Sequence, residues 1–192
     1  MTFISTTERV LEALRKSGRF MIVEPSQTIL NLASQEGWTP RVVLITPECD
    51  EWIMRLNVDP DKPPHPKKYS GLKPRELANG FLERLAGGAK DAYNLKAQEG
   101  GSGPFLRIRE SRKWKLAVYE ARLSHIRLFC LIPQPGIFLF VLGQWNCLLH
   151  ASNPKPAEHT HEECAKKVKD FALQHLSPLG LQFPGYKNDE LL

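Results

Sequence analysis

Apolar residues recur along the chain with two different periods, and the change of period divides it into elements. Near the start, Val10, Leu11 and Leu14 share one side of a helix, behind Thr6 and Thr7, either of which suits the N-cap. Glu8 lies near the positive end of that helix, which is predicted to run to about Lys16 and to end in "SGRF". "PSQTILNLASQEGW" predicts a second short helix with Ile29, Leu30 and Leu32 apolar. "RVVLIT", Arg41 to Thr46, is a β-branched run followed by proline and reads as a strand. Pro47 then opens a helix in which Trp52, Ile53 and Leu56 turn toward a core. Four prolines between Asn57 and Gly71 predict an extended, semi-rigid loop. "KPRELANGFLERLAGG" returns to helical spacing through Leu77, Phe81, Leu82 and Leu85, and Gly87 and Gly88 stop it.

The second half shifts to strand patterns. After the glycine-bearing "AQEGGSGPF" and a basic stretch, three antiparallel strands are predicted over 114–123, 126–132 and 137–142. "SH" supplies the first tight turn and "PQPG" the second, while "WNCLLHA" offers a possible extension of the sheet. Thr160, with Glu163 three residues on, forms a capping box for a closing helix whose inner face carries Val168, Phe171, Ala172 and His175. The expectation is an α+β fold. It has a small antiparallel sheet of three to five strands, two or more helices on its N-terminal side and a C-terminal helix. Residues 1–40 are expected as an N-terminal helical extension, 41–178 as the main domain and 179–192 as a tail.

Composition narrows the function classes. The chain has 192 residues, enough for one sizeable core, and no run of about 18 apolar residues that would predict a membrane span. The first twenty residues lack the apolar stretch and small-residue site of a secretion signal. Cys49, Cys130, Cys147 and Cys164 are widely scattered, so free thiols in a reducing cytoplasm are expected. The formal net charge of +5 is mild, but its distribution is not even. Arg107, Arg109, Arg112, Lys113, Lys115, Arg122 and Arg127 are set against only Glu110 and Glu120, and such a basic surface points toward phosphates.

Other chemistries have weaker signatures. Cys147, His150, His159, His161 and Cys164 could supply zinc ligands, but their spacing matches no standard finger or ribbon. No metal or other cofactor is therefore expected. A Cys/His nucleophile pair lacks any recognisable local context. "GGSGPF" precedes a strand rather than a helix and so does not form a phosphate cradle.

The two arginines inside the strands carry more information. Along a strand Leu116, Val118, Glu120 and Arg122 share one face; on the next, Arg127 alternates with Phe129 and Leu131. A tight turn between them can bring both guanidinium groups to a single sheet face. Two readings follow: a pair of forks for RNA phosphate, or a structural ion pair with Glu120 or another carboxylate.

The succession of "VVLITPECDEWIMRL", "ANGFLERLAGG", "WKLAVYEARLSHIRLFCLI", "IFLFVLGQW" and "THEECAKKVKDF" resembles the RelE/HigB type of toxin of bacterial toxin–antitoxin pairs. Glu120-Ala121-Arg122 is similar to that family's E-x-R strand, and Ile126-Arg127-Leu128-Phe129-Cys130 to the strand that follows it. The resemblance covers about Arg41 to His175. It implies a RelE-like fold and a cytoplasmic, ribosome-dependent endoribonuclease that cuts mRNA without a metal. Its partners would be mRNA on the ribosome and a cognate antitoxin, expected to be acidic; no membrane is implied.

By the same resemblance Arg122 and Arg127 would stabilise phosphate, with Lys113 and Lys115 as binding or base candidates. Arg107, Arg109 and Arg112 would contact the RNA backbone. The family's paired lysines after the third strand are missing, and Lys155 comes several residues late. His150, His159 and His161 lie in that region and are the candidates to replace them as acid, base or RNA contacts. Two alternatives stay open: a ParE-like toxin that inhibits DNA gyrase by binding, and a non-catalytic RNA- or protein-binding member of the fold.

Overall fold

A strand covered on both faces has no polar side to present to water, and Ile126–Gln134 is such a strand: every residue from Ile126 to Pro133 is buried, Arg127 included. It lies inside the sheet around which the rest of the chain is arranged. The computed structural model describes residues 6–56, 73–93, 104–108, 114, 116–124, 126–145 and 160–186. Their order is α1 (Thr6–Ser17), β1 (Met21–Ile22), α2 (Gln27–Glu36), β2 (Val42–Ile45), α3 (Pro47–Arg55), α4 (Pro74–Gly87) and α5 (Lys90–Tyr93). Then come β3 (Phe105–Arg107), β4 (Tyr119–Leu123), β5 (Ile126–Gln134), β6 (Ile137–Trp145), α6 (His161–His175) and a short 3-10 turn, Ser177–Leu179.

The fold is mixed α+β with a C-terminal helix, as the pattern predicts. The sheet order is β1-β2-β6-β5-β4-β3. Its direction differs from the expected antiparallel sheet at one seam, because β2 runs parallel to β6 with Val42 opposite Ile137 and Ile45 opposite Phe140. β2 is apolar on both faces, which fits it for an inner position, but side-chain alternation carries no information about strand direction. β1 adds two residues to the outer side of β2. The extension to residue 40 therefore contributes a short strand as well as helices.

Helices cover both faces. On one, Val43, Ile45, Phe105, Tyr119, Leu128, Cys130, Phe138 and Phe140 pack with Ile53 of α3 and with Phe81, Leu82 and Leu85 of α4. On the other, Leu44, Val118, Phe129, Leu131 and Leu139 pack with Leu14 of α1 and with Cys164, Ala165, Val168 and Ala172 of α6. Thr46 caps α3 by accepting from the Cys49 N–H at 3.2 Å, with Pro47 in the first turn. Gly143 of β6 has no side chain because the Trp52 ring lies over it: a Cβ built there would fall 2.0 Å from Trp52 Cε3.

After α6 the chain crosses from one core to the other. Leu181 and Phe183 belong to the α6-side core, while Tyr186 packs against the α4-side core. Bonds that hold this segment to β4 and its approach include the Ala117 N–H to the Phe183 carbonyl at 2.8 Å, the Tyr186 N–H to the Tyr119 hydroxyl at 2.7 Å and the Tyr119 hydroxyl to the Tyr186 carbonyl at 3.4 Å. Burial pushes the Tyr119 phenol up to about 12. Among the described residues no helix is long and apolar enough to cross a membrane.

Candidate functional site

The hairpin β4–β5 sets the register that the two arginines need. Arg122 stands directly opposite Arg127, Glu120 opposite Phe129, and Arg127 opposite Gln144 of β6. All five lie on the α6 side of the sheet, since alternate residues share a face. The turn between the strands is tight enough to drive Ser124 to a φ of +36°.

Glu120 is the centre of the cluster, with a side chain only 1% exposed. One carboxylate oxygen accepts from Arg122 Nε. The other lies 2.9 Å from His161 Nδ1. His161 reaches Glu120 because Thr160 caps α6, its hydroxyl accepting from the Glu163 N–H at 3.1 Å, and His161 is the first residue of that helix. This is the Thr160 half of the capping box predicted from the sequence. Arg127 is 9% exposed, and its Nη1 donates to the Ile126 carbonyl at 2.8 Å and to the Ser124 carbonyl at 3.2 Å. Its Nε is buried and has no partner among the described residues.

The electrostatics follow from this geometry. Burial raises the Glu120 carboxyl, but the His161 hydrogen bond and charge, together with Arg122, outweigh it and hold Glu120 below the usual carboxylate range. Burial lowers Arg127; Glu120 opposes that shift and the neighbouring Arg122 adds to it. A guanidinium nonetheless keeps its proton at neutral pH. Among the described residues the cluster thus holds two permanent cations against one carboxylate. Like charges directly opposite in a sheet repel, so an anion bound between them would relieve a real cost. The imidazole is set as well: with Nδ1–H donated to Glu120, Nε2 is the basic nitrogen of neutral His161.

Of the two open readings of the arginines, the ion pair has an observed counterpart. Arg122 does make the ion pair with Glu120, whereas Arg127 has no carboxylate in ion-pair contact among the described residues. Arg107 lies elsewhere. It pairs with Tyr119 in the register of β3 and β4 and therefore belongs to the opposite face, where its guanidinium packs against Gly185. Lys113, Lys115, Arg109, Arg112, His150, Lys155 and His159 lie outside the described residues, as does Cys147. Cys164 sits in the core near Glu120; burial pushes its thiol up to about 11, so it carries no thiolate at neutral pH.

The resemblance makes His161 a candidate acid, base or RNA contact, and no motif links it to Glu120, 41 positions away. Its place at the first position of a capped helix was legible; its partner was not. No protein-family model, curated protein or solved structure matches the chain.

Proposed function

We propose that the protein is a toxin-like, ribosome-dependent endoribonuclease that cuts mRNA at the Glu120–Arg122–Arg127–His161 cluster. The observation that carries this reading is the pairing of an oriented imidazole with two opposed arginines: His161 Nδ1 lies 2.9 Å from Glu120, and Arg122 stands opposite Arg127. RNA cleavage by transesterification needs a base for the 2′-hydroxyl, cationic groups for the pentavalent phosphorane, and an acid for the leaving 5′-oxygen. Neutral His161 takes the 2′ proton at Nε2, and Glu120 stabilises the imidazolium that forms. Arg122 and Arg127 balance the added charge on phosphorus. The imidazolium then returns its proton to the 5′-oxygen, so the steps close without a further reactant. This arrangement answers the missing lysine pair, since an imidazole replaces it.

One observation favours a second reading, in which the same cluster holds a phosphate or an acidic partner without cutting. Arg122 Nε is engaged by Glu120 and Arg127 Nη1 by the turn carbonyls, which is how structural arginines are used. Mapping 5′ ends on mRNA incubated with the chain, with and without ribosomes, separates the two. New ends that require ribosomes and fall by about 100-fold in His161→Ala are expected, the usual scale for loss of one acid–base group. Intact messages under every condition would overturn the nuclease reading and leave the holding one.

A further inference from the structure

At the sheet edge farthest from β3, backbone groups, apolar side chains and charge converge on a second feature. β1 pairs with β2 through Met21 opposite Ile45 and Ile22 opposite Leu44, and the Val23 N–H donates to the Val43 carbonyl at 2.9 Å. Antiparallel residues alternate between those that exchange bonds with the neighbour and those that turn N–H and C=O outward. Val23 belongs to the first kind and, two residues back, so does Met21. Ile22 therefore turns its N–H and C=O away from β2, along an edge that no other strand covers among the described residues.

Beside this edge lies a groove of about 520 Å³ between α1, β1 and α2. Leu11, Phe20, Ile22, Leu30 and Leu44 line it, and it is largely apolar. Ile22 is 61% and Leu30 39% exposed, so the apolar surface is open to solvent. Edge strands are ordinarily blunted by charge, proline or cover, and neither Met21 nor Ile22 provides that. The surrounding charge is mostly positive: Arg15 and Arg41 line the groove with Glu24, and Arg19 follows α1. Arg15 and Arg19 make no ion pair among the described residues.

We propose that this groove receives an extended segment of a partner protein, with alternating apolar and acidic residues, added as a strand outside β1. Main-chain bonds form at Ile22, alternate apolar side chains enter the groove, and carboxylates on the other positions meet Arg15 and Arg19. A second copy of the chain fits less well, because two-fold pairing of β1 would set those arginines against their own copies. The shortness of β1 limits the added strand to a few residues.

The test uses the full chain and two dye-labelled peptides of sequence Glu-Val-Glu-Ile-Glu-Val-Glu and Lys-Val-Lys-Ile-Lys-Val-Lys, read by fluorescence anisotropy. Saturable binding of the acidic peptide alone is expected, weakening with salt and by about tenfold or more in the double variant Arg15→Glu, Arg19→Glu. Ile22→Pro removes the outward N–H without removing a β1–β2 bond, and should weaken binding by about tenfold. If that variant melts early, N-methylation of the central peptide isoleucine tests the main-chain bonding from the other side. Equal binding of both peptides overturns the proposal, as does indifference to both backbone changes. Sedimentation showing a dimer that Ile22→Pro dissolves overturns it too, by making the edge a seam between copies.

Discussion

Arg122 and Arg127 face each other across the β4–β5 hairpin, yet they are held differently. Arg122 is half-buried and bonded to the Glu120 carboxylate; Arg127 is more deeply buried and bonded to the carbonyls of its own turn. Turn carbonyls satisfy donors but carry no full negative charge. Among the described residues the cluster therefore keeps a positive excess beside one carboxylate, and that excess is measurable without knowing the substrate. Sulfate, a simple tetrahedral anion, should raise the melting temperature with the logarithm of its concentration above its Kd, since whatever binds the folded form alone stabilises it. Arg122→Gln should remove most of the rise. A rise of the same size in that variant would mean that sulfate acts elsewhere, and the cluster would lose its standing as an anion site.

Glu120 makes stability depend on acid. Its folded-state pKa lies below the usual carboxylate value, so the unfolded chain binds this proton more tightly. The stability it contributes is fully present above the unfolded value of about 4.3 and is lost as pH falls through that value toward the lower folded one. Glu120→Gln should melt earlier than the native chain at neutral pH, because His161 and Arg122 lose their carboxylate. The variant should also lose less between about pH 5 and pH 3. Parallel acid limbs in the two melting curves would show that Glu120 is not the group responsible.

How far the sequence led differs between fold and site, for physical reasons. α1 was predicted to about Lys16 and runs to Ser17; β5 was predicted to Ile132 and runs to Gln134. Local periodicity and caps suffice for such elements. β3 was read as part of a basic loop, because three residues are too few to show alternation. β4 was predicted from Trp114 but starts at Tyr119, since the Ala117 N–H bonds to the Phe183 carbonyl instead of to a strand. In the site, alternation on two neighbouring strands placed Glu120, Arg122 and Arg127 together. The arrival of His161 depends on how α6 lies across the sheet, which packing of Val168 and Ala172 decides and no short motif encodes.

Gly143 tests the packing on the other face. A methyl group there would fall 2.0 Å from the Trp52 ring, and Trp52 is also in edge contact with Trp145, centroids 6.0 Å apart. The ring must move or the strand must bend. Gly143→Ala should cost roughly 1–3 kcal/mol, the usual range for overpacking, and should change the tryptophan emission of the folded state. An unchanged melt and spectrum would mean that Trp52 moves aside freely and does not require glycine at this position.

Thr160 links helix capping to the candidate chemistry, because its hydroxyl holds the first turn of α6 through the Glu163 N–H and His161 is the next residue along. Thr160→Ala removes that acceptor and should lower stability by about 1 kcal/mol, whereas Thr160→Ser keeps the bond and should restore it. The loss should not stop at stability. With the first turn loosened, His161 Nδ1 should leave Glu120 for part of the time, and the imidazole nitrogen resonances should move toward those of an exposed histidine. In Thr160→Ser they should stay with the native chain. A lower melting temperature with unmoved His161 resonances would show that the cap stabilises the helix without positioning the imidazole.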